Sequence, residues 1–126
     1  MDRKATKILV VDDMSSMRMM IKAVLRQAGY EAVHEAGDGE KALELIGATP
    51  FGLVICDWEM PKVNGLEVLR QVRAAAGTAA LPFVMLTAVA DRDRVGQAIQ
   101  AGVSDYLVKP FKPVDLLHKI QPLAGP

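Results

Sequence analysis

Four apolar segments of this chain end at side chains that could bind a metal ion or a phosphoryl group. Asp12 and Asp13 follow the first segment, Asp57 the third, Thr87 the fourth and Lys109 the fifth. Carboxylates that converge on one place repel each other, so they either raise their pKa values or bind a cation. Because the candidate ligands are carboxylates, with no histidine close to them in sequence, the expected cation is Mg²⁺, which prefers hard oxygen ligands.

The same set of residues suits phosphoryl chemistry. The metal and the Lys109 ammonium would neutralise phosphoryl oxygens, the Thr87 hydroxyl would donate a hydrogen bond, and a carboxylate would accept the group. We predict Asp57 as the acceptor, because the third strand is expected at the centre of the sheet.

Each residue also has a simpler interpretation. Asp12 and Asp13 could cap a helix, and Asp57 could begin a loop. Thr87 could bond to nearby backbone, and Lys109 could face solvent. Their occurrence together at the ends of successive segments favours a shared site over four separate local roles.

The elements that must position these residues alternate regularly along the chain. Short apolar runs predict strands at 7–11, 31–36, 53–56, 82–86 and 105–108, four of them buried on both faces and the second at an edge. Helical periodicity predicts helices at 15–28, 39–46, 65–75, 91–101 and from Pro113 to a stop at Pro122. This alternation predicts an α/β, doubly wound parallel sheet. In such sheets, ligands bind at the carboxyl ends of the strands.

Composition excludes several other classes of protein. The chain has 126 residues, of which 51% are hydrophobic and 24% charged, as in one globular domain. Lys plus Arg equals Asp plus Glu at 15, which argues against a nucleic-acid binder. Cys56 is the only cysteine, so no intramolecular disulfide can form. With no signal-like start and no apolar run long enough to span a bilayer, we expect a cytoplasmic protein without membrane insertion.

The motifs resemble those of the receiver domain of two-component response regulators. They are Ile8-Leu9-Val10-Val11-Asp12-Asp13, Asp57-Trp58-Glu59-Met60-Pro61, Leu86-Thr87-Ala88 and Lys109-Pro110-Phe111, and they extend over nearly the whole chain. Within the family, the residues around Asp13 and Asp57 look most like stand-alone chemotaxis regulators of the CheY type. The resemblance implies a flavodoxin-like sheet of strand order 2-1-3-4-5 with five helices. It also implies that residues 1–126 form a single receiver domain without an output domain.

The resemblance implies a role for each residue of the site. Asp57 would take a phosphoryl group from a phosphohistidine on a sensor histidine kinase. Mg²⁺ would be bound by Asp13 and Asp57 directly, by the backbone carbonyl of Glu59, and by Asp12 through water. Thr87, Ala88 and Lys109 would bind phosphoryl oxygens, and the Lys109–Pro110 peptide bond would be cis.

It also implies a switch made of Thr87 and Tyr106. After phosphorylation the hydroxyl would move to the phosphoryl group and the ring would pack behind it, changing the face of the fourth helix, fifth strand and fifth helix. A monomer without enzymatic activity of its own would then bind a protein target, with the flagellar motor switch expected first, and a phosphatase is a further possible partner. The alternatives are a phosphorelay intermediate that passes phosphate to a histidine phosphotransfer protein, and a receiver excised from a longer regulator.

Two functions from other classes fit less well. A Mg²⁺ phosphohydrolase using Asp57 as nucleophile would need a substrate-covering cap, for which no insertion is long enough. A flavin-binding module would need phosphate-cradling turns after the first strand, where Asp12 and Asp13 would repel phosphate in the absence of metal.

Several residues near the site have individual interpretations. Glu59 stands where the best-known regulators have an amide, and its side chain is expected to affect water access to the phosphoryl group and hence its lifetime. Trp58 is expected as an exposed loop aromatic, and Arg92 and Arg94 as a solvated start to the fourth helix. Cys56 is expected to be buried within its strand.

Overall fold

A computed structural model describes residues 3–89 and 91–124 of the chain. The strands are β1 (Ile8–Val11), β2 (Val33–Ala36), β3 (Leu53–Asp57), β4 (Phe83–Thr87) and β5 (Asp105–Val108). The helices are α1 (Ser15–Gln27), α2 (Gly39–Ala48), α3 (Gly65–Ala74), α4 (Arg92–Gln100) and α5 (Pro113–Ala124), with a short 3₁₀ turn at Ala76–Thr78.

All strand pairs are parallel, and the sheet order is β2-β1-β3-β4-β5. The predicted fold class and strand order are therefore confirmed. The register brings the strand ends to one edge of the sheet, because Val11 lies beside Cys56 and Asp57 beside Leu86. Residues that follow β1, β3 and β4 consequently emerge side by side.

The sheet separates two groups of buried apolar side chains. On one face Leu9 and Val54 pack with α2 and α3, and on the other Ile8 and Ile55 pack with α1 and α5. Every residue of β1, β3 and β4 is buried, as expected for central parallel strands. This double burial makes the centre of the sheet a firm support for the loops that follow it.

Two details differ from the sequence prediction. The β5 strand is only half-buried, because it lies at the second edge of the sheet. Helix α5 continues through Pro122 and ends at Ala124. A proline near the last turn removes one helical hydrogen bond, and the burial of Ile120 and Ala124 against the sheet holds that turn in place.

Local signals at the helix ends agree with the structure. The side chains of Asp38, Asn64 and Asp91 accept hydrogen bonds from backbone N–H groups in the first turns of α2, α3 and α4. Gly29 follows α1 with φ of 100°, a conformation that favours glycine. In the part of the chain that is described, no helix is both long and apolar enough to cross a bilayer.

Candidate functional site

Four charged side chains form an acidic cluster at the carboxyl edge of the sheet: Asp12, Asp13, Asp57 and Lys109. One carboxylate oxygen from each aspartate lies within 4.8 Å of the other two. Asp12 and Asp57 are buried, whereas Asp13 is exposed at the mouth. The structure therefore brings together the three carboxylates that the sequence predicted would meet.

Lys109 supplies the positive charge of this cluster. Its Nζ lies 3.0 Å from Asp12 Oδ2 and 3.0 Å from Asp57 Oδ1. Burial acts to lower the pKa of Lys109, but its contacts with Asp12 and Asp57 outweigh that effect and raise it. The ammonium thus stays charged between two buried carboxylates. The peptide bond from Lys109 to Pro110 is cis, the isomer that the resemblance implied.

Asp57 has the most perturbed environment of the aspartates. Burial raises the pKa of its carboxyl to about 6, with Lys109 opposing the shift and the charge of Asp12 adding to it. Its Oδ1 is buried and forms an ion pair with the Lys109 ammonium at 3.0 Å. Three carboxylates with oxygens this close, and only one ammonium between two of them, are a donor set that fits a divalent cation such as Mg²⁺.

Asp12 combines a local role with its place in the cluster. Its Oδ1 accepts a hydrogen bond from the Met14 N–H at 2.9 Å, which stabilises the loop before α1. Its Oδ2 faces Lys109 instead. The interpretation of Asp12 as a helix cap is wrong, because the N-cap of α1 is Met14 and, among the described residues, no side chain caps the start of that helix. Asp12 stabilises the preceding loop and is also a site carboxylate.

A second group of residues, which we call the Glu59 cluster, lies beside the acidic cluster and consists of Glu59, Thr87, Ala88 and Arg94. Glu59 Oε1 accepts hydrogen bonds from Thr87 Oγ1 at 2.8 Å, the Ala88 N–H at 3.2 Å and Arg94 Nη1 at 2.5 Å. Arg94 Nη1 also lies 3.2 Å from Thr87 Oγ1. Burial acts to raise the pKa of Glu59, but the hydrogen bonds it accepts outweigh that effect and lower it.

The structure corrects two expectations for this region. Arg94 is half-buried in contact with Glu59 and is not a solvated start to α4, although Arg92 is exposed. Trp58 is 7% exposed, not an exposed loop aromatic. The Arg94 guanidinium lies 5.0 Å from the centre of the Trp58 ring. This one arginine therefore covers the tryptophan ring and binds the Glu59 carboxylate at the same time.

Sequence reasoning missed Arg94 as a residue of the site. The available signal was a basic residue in the first turn of the helix after Thr87, together with an acidic residue two positions after Asp57. That combination indicates a possible ion pair, but 35 residues separate the partners, and local periodicity does not report such a contact.

Tyr106 is half-buried on β5, and its ring lies 5.8 Å from the Lys119 Nζ. It lines a small cavity of ≈ 10 Å³ with Thr87, Arg94 and Trp58. The switch role of Tyr106 remains a prediction. Cys56 is buried, as expected, and burial raises the pKa of its thiol well above the usual value.

Comparison with known proteins defines the class to which this fold and site belong. Residues 8–121 match the family description "Response regulator receiver domain". The chain belongs to this family, and it is thus a receiver domain of two-component signalling.

Within the family, the chain is most usefully compared with chemotaxis regulators. It is 45% identical to the chemotaxis protein CheY of Pseudomonas aeruginosa over 115 residues, which are 91% of this chain and 93% of that protein. It is 42% identical to the chemotaxis protein CheY-3 of Vibrio cholerae over 117 residues, which are 93% and 90% of the two chains. The solved structure of Vibrio cholerae CheY4 has a TM-score of 0.88 and 36% identity, covering 94% of this chain and 98% of that one.

Proposed function

We propose that this protein is a phosphorylation-activated switch that takes a phosphoryl group onto Asp57 from a phosphohistidine of a sensor histidine kinase. The observation that carries the proposal is the convergence of three carboxylates on one place, with the buried Asp57 beside the Lys109 ammonium. Asp12, Asp13, Asp57 and the backbone carbonyl of Glu59 would hold Mg²⁺. When bound, the ion would neutralise charge on the phosphoryl oxygens and orient the incoming group.

Asp57 acts as the nucleophile in the proposed transfer. One of its carboxylate oxygens forms a bond to phosphorus while the bond from phosphorus to the donor imidazole nitrogen breaks, and the imidazole keeps the electron pair. A carboxyl with a pKa of about 6 is mostly ionised near neutral pH, so the nucleophile is available. Water later attacks the phosphorus of the acyl phosphate, the bond from phosphorus to the Asp57 oxygen breaks, and inorganic phosphate leaves with the carboxylate regenerated. The reaction modifies the protein itself, which then carries the signal. The protein is not an enzyme that acts on a separate substrate.

The proposed phosphoryl ligands are the Lys109 ammonium, the Thr87 hydroxyl and the Ala88 N–H. Recruitment of Thr87 would let the Tyr106 ring pack behind it and would alter the face formed by α4, β5 and α5. Exposed apolar side chains lie on both helices, Ile99 on α4 and Val114 on α5. This face would bind a protein target in the cytoplasm, and the chemotaxis names of the relatives support a flagellar motor switch protein as that target.

The first experiment is incubation of the purified protein with Mg²⁺ and acetyl phosphate, followed by intact mass measurement. We expect a labile gain of about 80 Da, one phosphoryl group, in the wild type and none in Asp57→Ala. Asp38→Ala, which removes an exposed carboxylate at the start of α2, is the matched control and should gain the same mass. An equal gain in Asp57→Ala would contradict the assignment of the acceptor.

A further inference from the structure

Glu59 Oε1 accepts hydrogen bonds from the two neutral groups that the proposed function assigns to the phosphoryl oxygens. These are the Thr87 hydroxyl at 2.8 Å and the Ala88 N–H at 3.2 Å. The Val89 carbonyl, 3.0 Å from Thr87 Oγ1, is a second and longer acceptor for the same hydroxyl proton. A hydroxyl and a backbone amide each have one proton to donate. They therefore cannot fully serve the Glu59 carboxylate and a phosphoryl oxygen at the same time, and binding of one anion must weaken the hold on the other.

Arg94 holds the Glu59 carboxylate in this position. Its Nη1 donates to the same Oε1 at 2.5 Å, and its guanidinium lies over the buried Trp58 ring, 5.0 Å from the ring centre. The aromatic face and the carboxylate thus fix the arginine from two directions. Because Arg94 belongs to the first turn of α4, this contact ties the start of that helix to the loop after β3.

The space behind Thr87 is closed while these contacts persist. The cavity between Trp58, Thr87, Arg94 and Tyr106 measures ≈ 10 Å³, about the volume that one water molecule needs by the same measure. An aromatic ring cannot enter it unless lining side chains move. Movement of lining side chains, which include Thr87 and Arg94, must therefore accompany any inward movement of Tyr106.

From these contacts we infer that the Glu59 carboxylate is an internal substitute for the phosphoryl group. In the resting protein it occupies the Thr87 and Ala88 donors and is held there by Arg94. Phosphorylation of Asp57 displaces it, which frees Arg94 and the start of α4. This inference rests on the proposed function and deepens it, since it names the contact that phosphorylation must break. The exchange involves hydrogen bonds only.

The direction in which Arg94→Gln changes the affinity for a phosphoryl analogue distinguishes this role of Arg94 from simple charge attraction. If Arg94 only attracted an anion, Arg94→Gln would weaken the binding of a phosphoryl analogue. If Arg94 instead holds Glu59 on the shared donors, Arg94→Gln would strengthen that binding, and would do so only while Glu59 is present. The effect of Arg94→Gln should therefore disappear or reverse in a Glu59→Ala background.

The test uses beryllium fluoride with Mg²⁺ as a non-covalent phosphoryl analogue and follows the Ala88 amide by NMR. In the free proteins, we expect this amide to shift in Glu59→Ala and not in Glu44→Ala, which removes an exposed glutamate on α2. In the analogue-bound proteins, wild type and Glu59→Ala should give the same Ala88 amide position. Glu59→Ala and Arg94→Gln should each bind the analogue about fivefold more tightly, as expected for loss of one partly exposed ion pair.

Three results would overturn the inference. The first is an Ala88 amide shift in free Glu59→Ala equal to that of the free wild type, and the second is a difference between these two shifts that persists when the analogue is bound. The third is weaker binding of the analogue by Arg94→Gln than by wild type. Each of these leaves the proposed function intact, because the analogue still binds. Failure of the wild-type protein to bind beryllium fluoride at all would contradict the proposed function itself, and the inference with it.

Discussion

The acidic cluster and the Glu59 cluster each pair a cation with carboxylate oxygen, yet they differ in burial and support. Side chains of the first are 0% exposed at Asp12, 4% at Asp57 and 16% at Lys109. Those of the second are 35% exposed at Glu59 and 30% at Arg94. The aspartates of the first cluster lie at the ends of the central strands β1 and β3, whereas the Glu59–Arg94 contact of the second joins a loop to the first turn of a helix. From this difference we expect the acidic cluster to be a rigid site for phosphoryl chemistry and the Glu59–Arg94 contact to be one that can break and re-form.

The largest expected effect tests whether the backbone at Asp57 is fixed. A Cβ on Gly65 would lie 2.3 Å from the Asp57 carbonyl oxygen and 2.9 Å from the Trp58 Cα. Both contacts are with backbone, so relief requires the end of β3 or the start of α3 to move. Gly65→Ala should lower the free energy of unfolding by about 3 kcal/mol, measured by urea denaturation.

The matched control is Gly96→Ala in α4. An added Cβ at this position has no atom of the described residues within 4 Å, apart from its chain neighbours and the backbone of its own helix. This change should raise stability by up to about 1 kcal/mol, because alanine favours helix more than glycine does. Equal effects of the two substitutions would show that the loop after β3 is as adaptable as α4, and the contrast between the clusters would be lost.

The second prediction concerns the cost of keeping Asp57 ionised inside the fold. Burial raises its pKa from 3.8 to about 6, so the folded protein binds this proton more tightly than the unfolded chain. Ionisation therefore lowers stability progressively as pH rises from 3.8 to about 6, and the loss is constant above that. Without divalent cations, Asp57→Asn should be about 2 kcal/mol more stable than wild type near pH 8, a difference that vanishes near pH 4.

Urea denaturation at several pH values with a chelator present measures this difference. Glu44→Gln serves as the control, because its carboxylate is exposed on α2. A stabilisation by Asp57→Asn that did not change with pH would mean that the side-chain amide acts by packing, and that ionisation of Asp57 carries no penalty.

A smaller effect is expected at Arg18, which supports the acidic cluster from outside. Its Nη1 donates to the Asp12 carbonyl at 2.7 Å, and its Nε to Glu35 at 2.7 Å. Arg18→Ala should cost about 1 kcal/mol and weaken Mg²⁺ binding several-fold, because the loop that holds Asp12 and Asp13 loses a fixed point. Titration with Mg²⁺ followed by calorimetry measures the binding.

Lys22→Ala is the control for Arg18, since Lys22 also pairs with Glu35, at 2.6 Å, yet contacts neither aspartate of the loop. It should leave Mg²⁺ affinity unchanged. A similar loss of Mg²⁺ affinity in both variants would indicate that the charge near Glu35 matters, and not the hydrogen bond to the Asp12 carbonyl.

The contrast between the clusters also explains what the sequence could predict. Apolar runs that end in Asp12, Asp57 and Thr87 report strands buried on both faces, and parallel strands necessarily bring those ends together. The acidic cluster was therefore predictable from local patterns plus one topological rule. The Lys109 position followed in the same way from β5.

The Glu59 cluster has no comparable signal. Its key contact joins Glu59 to Arg94 across two loops, and the geometry depends on the path of both. The helical pattern at α4 correctly gave the helix but assigned Arg94 to solvent, because an arginine in a first turn is usually exposed. The burial of Trp58 is likewise invisible to local patterns, because its ring packs with core side chains distant in sequence and under the Arg94 guanidinium. The sequence around Pro122 predicts the end of α5 there, because a local pattern does not report how the last turn of the helix packs against the sheet.

The smallest expected effect measures the Glu59–Arg94 contact directly. A double-mutant cycle of Glu59→Gln and Arg94→Gln should give a coupling free energy of about 0.5–1 kcal/mol, since both side chains are one-third exposed. The coupling should fall in high salt, where partly exposed charges are screened. The same cycle on Asp12→Asn and Lys109→Met should give a larger value with weaker salt dependence, because those groups are buried. A Glu59–Arg94 coupling equal to that of the buried pair would be too strong for easy exchange. The phosphoryl group would then have to displace a contact as firm as the site itself, and the distinction between fixed and exchangeable halves would fail.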